Sequence, residues 1–172
     1  KKGNGLSEDD FADQELHRLR KYFKTYVRAE DLAAIIIELV QGEGGFHVAP
    51  KKYVEGLREI CDEYGIRLIF DEVQTGFGRT AAWSAMEHFD VTPDLSTWAK
   101  SMGSGMPIGA IIGKEKVMDS AAPGTIGGTY IGNPVACAAS LATIKYMKEI
   151  KLNDKAKHVG KVIYDRFKHM QE

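Results

Sequence analysis

Cysteine is scarce in this chain: Cys61 and Cys137 are the only two among 172 residues. Two thiols in apolar, helical text with no paired spacing exclude a disulfide framework and a cysteine-built zinc site. Buried reduced thiols in a reducing, cytoplasmic compartment are the default that follows. The five histidines are scattered without metal-ligand spacing, so no metal is expected. An excess of charge is also lacking, because 23 basic and 24 acidic residues leave a net charge of −1. That balance offers no electrostatic footprint for nucleic acid or a membrane surface. No apolar run approaches the roughly 20 residues needed to span a bilayer. The start, Lys1-Lys2-Gly3-Asn4-Gly5, has no apolar stretch behind its basic pair and so no signal-peptide pattern. It also lacks an initiating Met, and a piece of a longer protein is expected.

What is present reads as one domain of ordinary globular composition, 44% hydrophobic and 27% charged. No internal repeat or low-complexity segment interrupts it. Residues 7–30 place Leu16, Leu19, Tyr22, Phe23 and Tyr26 three or four apart, an amphipathic helix with Ser7 in the N-cap region. Ala33 to Val40 is rich in β-branched residues and predicts a strand covered on both faces. Tyr53 to Tyr64 follows as a helix with Tyr53, Leu57, Ile60 and Cys61 on one face and Gly65 as its C-cap. Ile66 to Phe70 is the next buried strand. Strand, helix, strand at this spacing is a βαβ unit with parallel strands. Leu95 to Trp98 and Ile108 to Ile112 predict two more strands, the last antiparallel after the tight Gly105-Met106-Pro107 connection. Thr125 to Asn133 is a glycine-rich loop, Val135 to Ile150 a long helix started by Pro134, and Lys151 to Glu172 a further amphipathic helix.

Ligands in such sheets bind beyond the carboxyl ends of the strands. Glu43 and Asp71 both lie at or just past those ends. Asp71 closes an apolar strand, and Lys100 precedes the turn-rich segment Met102-Gly103-Ser104-Gly105-Met106-Pro107. A carboxylate at a strand end and a lysine at a glycine-rich turn are what pyridoxal phosphate chemistry needs. The amine forms a Schiff base with the aldehyde, and the acid keeps the pyridine nitrogen protonated. A nucleotide-binding α/β domain fits less well. Gln41-Gly42-Glu43-Gly44-Gly45 lacks the G-x-G-x-x-G spacing, and its acid would repel a pyrophosphate.

Four blocks, in order, then resemble the class III, or ω-amino-acid, aminotransferases. They are Glu38 to Gly45 (ELVQGEGG), Phe70 to Thr80 (FDEVQTGFGRT), Thr97 to Ala110, and Gly127 to Ala139 (GGTYIGNPVACAA). Within that family, Ala122-Pro123-Gly124 running into Gly127-Gly128-Thr129-Tyr130 is most similar to 4-aminobutyrate aminotransferases. The resemblance implies an α/β, fold type I large domain: a mostly parallel sheet with flanking helices, binding pyridoxal 5'-phosphate. Residues 1–172 would be its central part, with the small domain falling after residue 172.

The resemblance also implies roles. Lys100 would carry the cofactor and then move the substrate proton, and Asp71 would pair with the pyridinium nitrogen. Val73 would pack on the ring or simply in the core. Gln74 would bond the ring hydroxyl or cap a loop backbone. Thr129 would contact the phosphate, from the neighbouring subunit of a homodimer. Glu43 would pair with a substrate-binding arginine in one half-reaction and swing aside in the other. Glu38 would position the amine substrate or be buried against a partner. The reaction implied is transfer of an amino group from an ω-amino acid such as 4-aminobutyrate to 2-oxoglutarate. Acetylornithine or ornithine aminotransferase, a related aminomutase or racemase, and an inactive truncated domain are the alternatives. Three positions depart from the family pattern: Leu39 for proline, and Ala81 and Ser104 for glycine.

Overall fold

Each apolar run of the sequence becomes a short strand: β1 (Ala34–Ile37), β2 (Arg67–Asp71), β3 (Leu95–Trp98) and β4 (Ala110–Gly113). In the computed structural model, which describes residues 5–171, they form one sheet in the order β1-β2-β3-β4. The Lys1-Lys2 pair and Glu172 lie outside the described residues. β1 and β2 run parallel and β4 antiparallel to β3, as the spacing predicts, and β3 runs parallel to β2. The helices are α1 (Glu8–Thr25), α2 (Lys51–Tyr64), the single-turn α3 (Glu115–Met118), α4 (Pro134–Glu149) and α5 (Leu152–Gln171).

Local chemistry sets the helix ends. Ser7 Oγ accepts the Asp10 backbone N–H at 3.1 Å, and Glu8, Asp9 and Asp10 in the first turn of α1 complement its dipole. α2 stops at Gly65, whose φ of 70° is the left-handed cap that glycine adopts without strain. Between them, α1 and α2 cross where Gly56 faces Leu16, and a Cβ at Gly56 would collide with that leucine. Behind the sheet, Leu39, Val54, Leu57, Ile60, Cys61, Ile66, Leu68 and Phe70 form the core. Burial pushes the Cys61 thiol up to about 11, so it stays protonated and inert at neutral pH.

One expectation needs correction. The first strand is shorter than Ala33–Val40 and is not covered on both faces within this chain. β1 is the sheet's edge strand and α1 and α2 cover one side only, so Ile36 is 60% exposed. The α5 helix is amphipathic as expected, yet Val159, Val162, Ile163 and Phe167 all remain exposed.

The two glycine-to-other departures now have a physical meaning. Ala81 has φ 63° and Ser104 φ 47°, both in the left-handed region where a Cβ is unfavourable. Ala81→Gly removes roughly 1–2 kcal/mol of strain and concedes about 0.4–1 kcal/mol of unfolded-state entropy. The expected result is a gain in stability of about 0.5–1 kcal/mol, read as a higher urea midpoint at unchanged slope. A midpoint that stays put or falls would refute it.

Candidate functional site

The carboxyl ends of β1, β2 and β3 meet along one edge of the sheet. The register sets Asp71, the last residue of β2, opposite Thr97 of β3. Thr97 Oγ1 donates to Asp71 Oδ1 at 3.1 Å, and the Val73 N–H donates to the same oxygen at 3.0 Å. The other oxygen, Oδ2, has no hydrogen-bond partner among the described residues. A half-buried carboxylate held at one oxygen and open at the other can accept a charge-assisted hydrogen bond from a protonated nitrogen.

Lys100 begins a 3-10 turn, Lys100–Gly103, directly after β3. Its ammonium is exposed and donates to Gln74 Oε1. Lys100 itself has φ 48°, an unfavourable conformation for a side-chain-bearing residue. Strain of this kind persists where the surrounding structure imposes it, and it concentrates at functional positions.

Gln74 is fixed from its other side. Gly42 is buried against it, and a Cβ there would lie 3.1 Å from Gln74 Cγ. The Gly42 N–H in turn donates to Glu38 Oε2 at 2.7 Å. Within this chain Glu38 is exposed and caps the loop that packs on Gln74. Glu43 follows Gly42 and is exposed on that loop.

Asp71, Val73, Gln74 and Lys100 are thus brought together. Thr129 is not: it lies in an exposed loop between α3 and α4, and among the described residues no hydrogen bond joins it to the cluster. Two members of the site carry no signal of their own in the sequence. Thr97 could have been found only by laying β2 and β3 in parallel register. Glu72 is 1% exposed, and a carboxylate beside a strand end gives no hint of such burial. Its oxygens accept from Thr75 Oγ1, from Ser84 Oγ at 2.6 Å, and from the Ala85 and Met86 N–H groups at 3.0 Å each.

The wall behind this turn is aromatic. A Cβ on Gly76 would lie 2.7 Å from the Trp98 ring, so the chain passes only as glycine. Phe77 meets Trp98 and Trp83 edge-on at 5.8 and 6.2 Å.

Residues 3–172 match the family model "Aminotransferase class-III". The chain is 50% identical over 157 residues to a 5-aminovalerate aminotransferase of Pseudomonas aeruginosa, covering 91% of this chain and 36% of the relative. It is 48% identical over 162 residues to the 4-aminobutyrate aminotransferase of Escherichia coli, covering 94% and 37% respectively. Among solved structures, it superposes with a TM-score of 0.89 and 33% identity on taurine:2-oxoglutarate aminotransferase from Bifidobacterium kashiwanohense in complex with PLP and glutamate. That match covers 96% of this chain and 38% of the other. The chain therefore spans well under half the length of the proteins it resembles. A mostly parallel sheet with Asp71, Gln74 and Lys100 at its carboxyl edge, matched along nearly its whole length, belongs to the class III aminotransferases.

Proposed function

We propose that this chain is the central, cofactor-holding part of the large domain of a pyridoxal-phosphate-dependent aminotransferase. The observation that carries the reading is that Asp71, open at Oδ2, and the exposed Lys100 amine, bonded to Gln74, lie at one sheet edge. Lys100 Nζ would hold the cofactor and would carry a proton to and from the substrate carbon. Asp71 would receive the ring nitrogen, whose positive charge would offset the cost of keeping that carboxylate half-buried. Gln74 would bond the ring hydroxyl and Val73 would pack on the ring. Thr129, from the neighbouring subunit of a homodimer, would hold the phosphate. When bound, pyridoxal phosphate supplies the electron-withdrawing ring that lets a C–H bond beside the amine ionise.

For the whole protein, the amino donor is an ω-amino acid such as 4-aminobutyrate or 5-aminovalerate, and the acceptor is 2-oxoglutarate. Similarity to enzymes of both donor names supports the class of donor. Glu43, on the loop beside Gln74, is the residue that tells the two half-reactions apart by pairing with or releasing a substrate-binding arginine. The setting is cytoplasmic, in keeping with two free thiols. Among the described residues, no helix is long and apolar enough to cross a membrane.

The test is borohydride reduction after incubation with pyridoxal phosphate, followed by peptide mass mapping. A phosphopyridoxyl adduct confined to Lys100 is expected. Adducts spread over many lysines would overturn the assignment of Lys100 as the cofactor-carrying amine.

A further inference from the structure

We propose that Glu72 is a positioning residue of this site: its buried carboxylate sets where Gln74 meets Lys100. The inference rests on the cofactor reading above for its consequence, but not for its geometry. Asp71 and Glu72 are consecutive. Asp71 presents its carboxylate to the sheet edge, while Glu72 is enclosed by residues 75 and 84–86.

Glu72 holds both ends of a five-residue turn. Its backbone N–H donates to Thr97 O at 3.0 Å, extending the β2–β3 ladder by one rung. Its carbonyl accepts the Gly76 N–H at 2.9 Å, which closes the turn. Its carboxylate takes the Thr75 hydroxyl from within the turn. The residues left at the knuckle are Val73 and Gln74, the two that face the proposed cofactor.

The same carboxylate ties this turn to the 3-10 turn Ala85–His88. Each oxygen accepts one hydroxyl and one backbone N–H: Oε1 from Ser84 Oγ and Met86 N, Oε2 from Thr75 Oγ1 and Ala85 N. Backbone N–H groups cannot reverse their polarity, so both oxygens must act as acceptors. An amide at this position would turn an NH2 group toward one of those fixed donors. The turn would then relax, and with it the position of the Gln74 carbonyl that receives Lys100.

The test compares Glu72→Gln and the milder Ser84→Ala with Asp94→Asn, a change at the opposite edge of the sheet that also removes a buried acceptor. The first readout needs no cofactor: amide hydrogen exchange of the full chain. Glu72→Gln is expected to speed exchange at Gly76, Ala85 and Met86 by about tenfold or more. Ser84→Ala should give a smaller change of the same sign, and Asp94→Asn none beyond its global loss of stability. The second readout is the selectivity of the borohydride-trapped adduct for Lys100 at matched folded fraction. It should fall about tenfold in Glu72→Gln and hold in Asp94→Asn. Unchanged exchange in a folded Glu72→Gln, or equal changes in Glu72→Gln and Asp94→Asn, would overturn the proposal. If the unsubstituted chain fails to trap cofactor at Lys100, the cofactor reading falls, and the exchange readout still decides whether Glu72 holds the turn.

Discussion

Lys100→Ala is expected to abolish the trapped phosphopyridoxyl adduct and to lower turnover of the whole enzyme by about 10⁴-fold, the upper range for loss of a positioned proton-transfer group. No other residue takes its place. The amine on this edge sits against Gln74, within the turn network that also carries Asp71, and any substitute would have to reach the same point from a different backbone. The substitution should scarcely disturb folding, since the side chain is exposed and its one hydrogen bond is at the surface. Its backbone gives a second, opposite signal. With φ at 48°, the position favours glycine. Lys100→Gly should therefore be more stable than Lys100→Ala by about 1 kcal/mol, while equally inactive. Activity assay and urea unfolding of the two variants, side by side, measure both effects. Residual activity within tenfold of the parent in Lys100→Ala would remove this lysine from the chemistry.

Asp94→Ala should cause a loss of stability of about 3 kcal/mol. Asp94, just before β3, lies at the sheet edge opposite the candidate site. Its Oδ2 accepts from Arg58 Nη1 and from the Leu68 N–H, and its Oδ1 from Lys114 Nζ, all at 2.8 Å. One side chain thus clamps α2, β2 and the segment after β4. It is 5% exposed, whereas Lys114 is 49% exposed and Arg58 16%. The cations keep partial access to water, which holds the cost to the lower end of the range for breaking a buried pair. Burial alone would raise this carboxyl's pKa, but the bonds from Lys114, Leu68 N–H and Arg58 outweigh it and hold the group at about 2. In the unfolded chain the ordinary value, near 3.9, applies. The folded value is the lower one, so the unfolded state binds the proton first on acidification. The stabilisation is complete above about pH 4 and is lost as pH falls through about 2. It amounts to roughly 2–3 kcal/mol, since a tenfold difference in proton affinity is worth about 1.4 kcal/mol. Unfolding curves of parent and Asp94→Ala should converge as pH drops from about 4 to about 2.5. A gap of constant size across that window would show that Asp94 does not titrate as described.

Residue types and their spacing were enough to set the order and kind of the elements and the identity of the chemical groups. Periodicity of 3.6 over α1 and α2, and runs of β-branched residues in β1 and β2, are local properties that the chain carries wherever it goes. The βαβ spacing between them leaves little choice but parallel strands, and parallel strands put Asp71 at a ligand-binding edge. Lys100 was legible as an amine shortly after β3, and the fold places it beside Gln74.

Contacts between distant segments settled the rest, and these exist only in the folded chain. The partner of Asp71 is Thr97, chosen by β2–β3 register. The cap on the loop at Gly42 is Glu38, a contact that residue type and spacing do not announce. The strain at Ala81, Lys100 and Ser104 is invisible in residue type, because φ is set by the closure of turns around them. Glu72 and Glu43 look alike on paper, each an acid near a strand end. One is enclosed by four donors from residues 75 to 86, and the other stands in solvent on an open loop. Burial is a property of what packs over a residue, and that is written in the whole chain rather than in its neighbours.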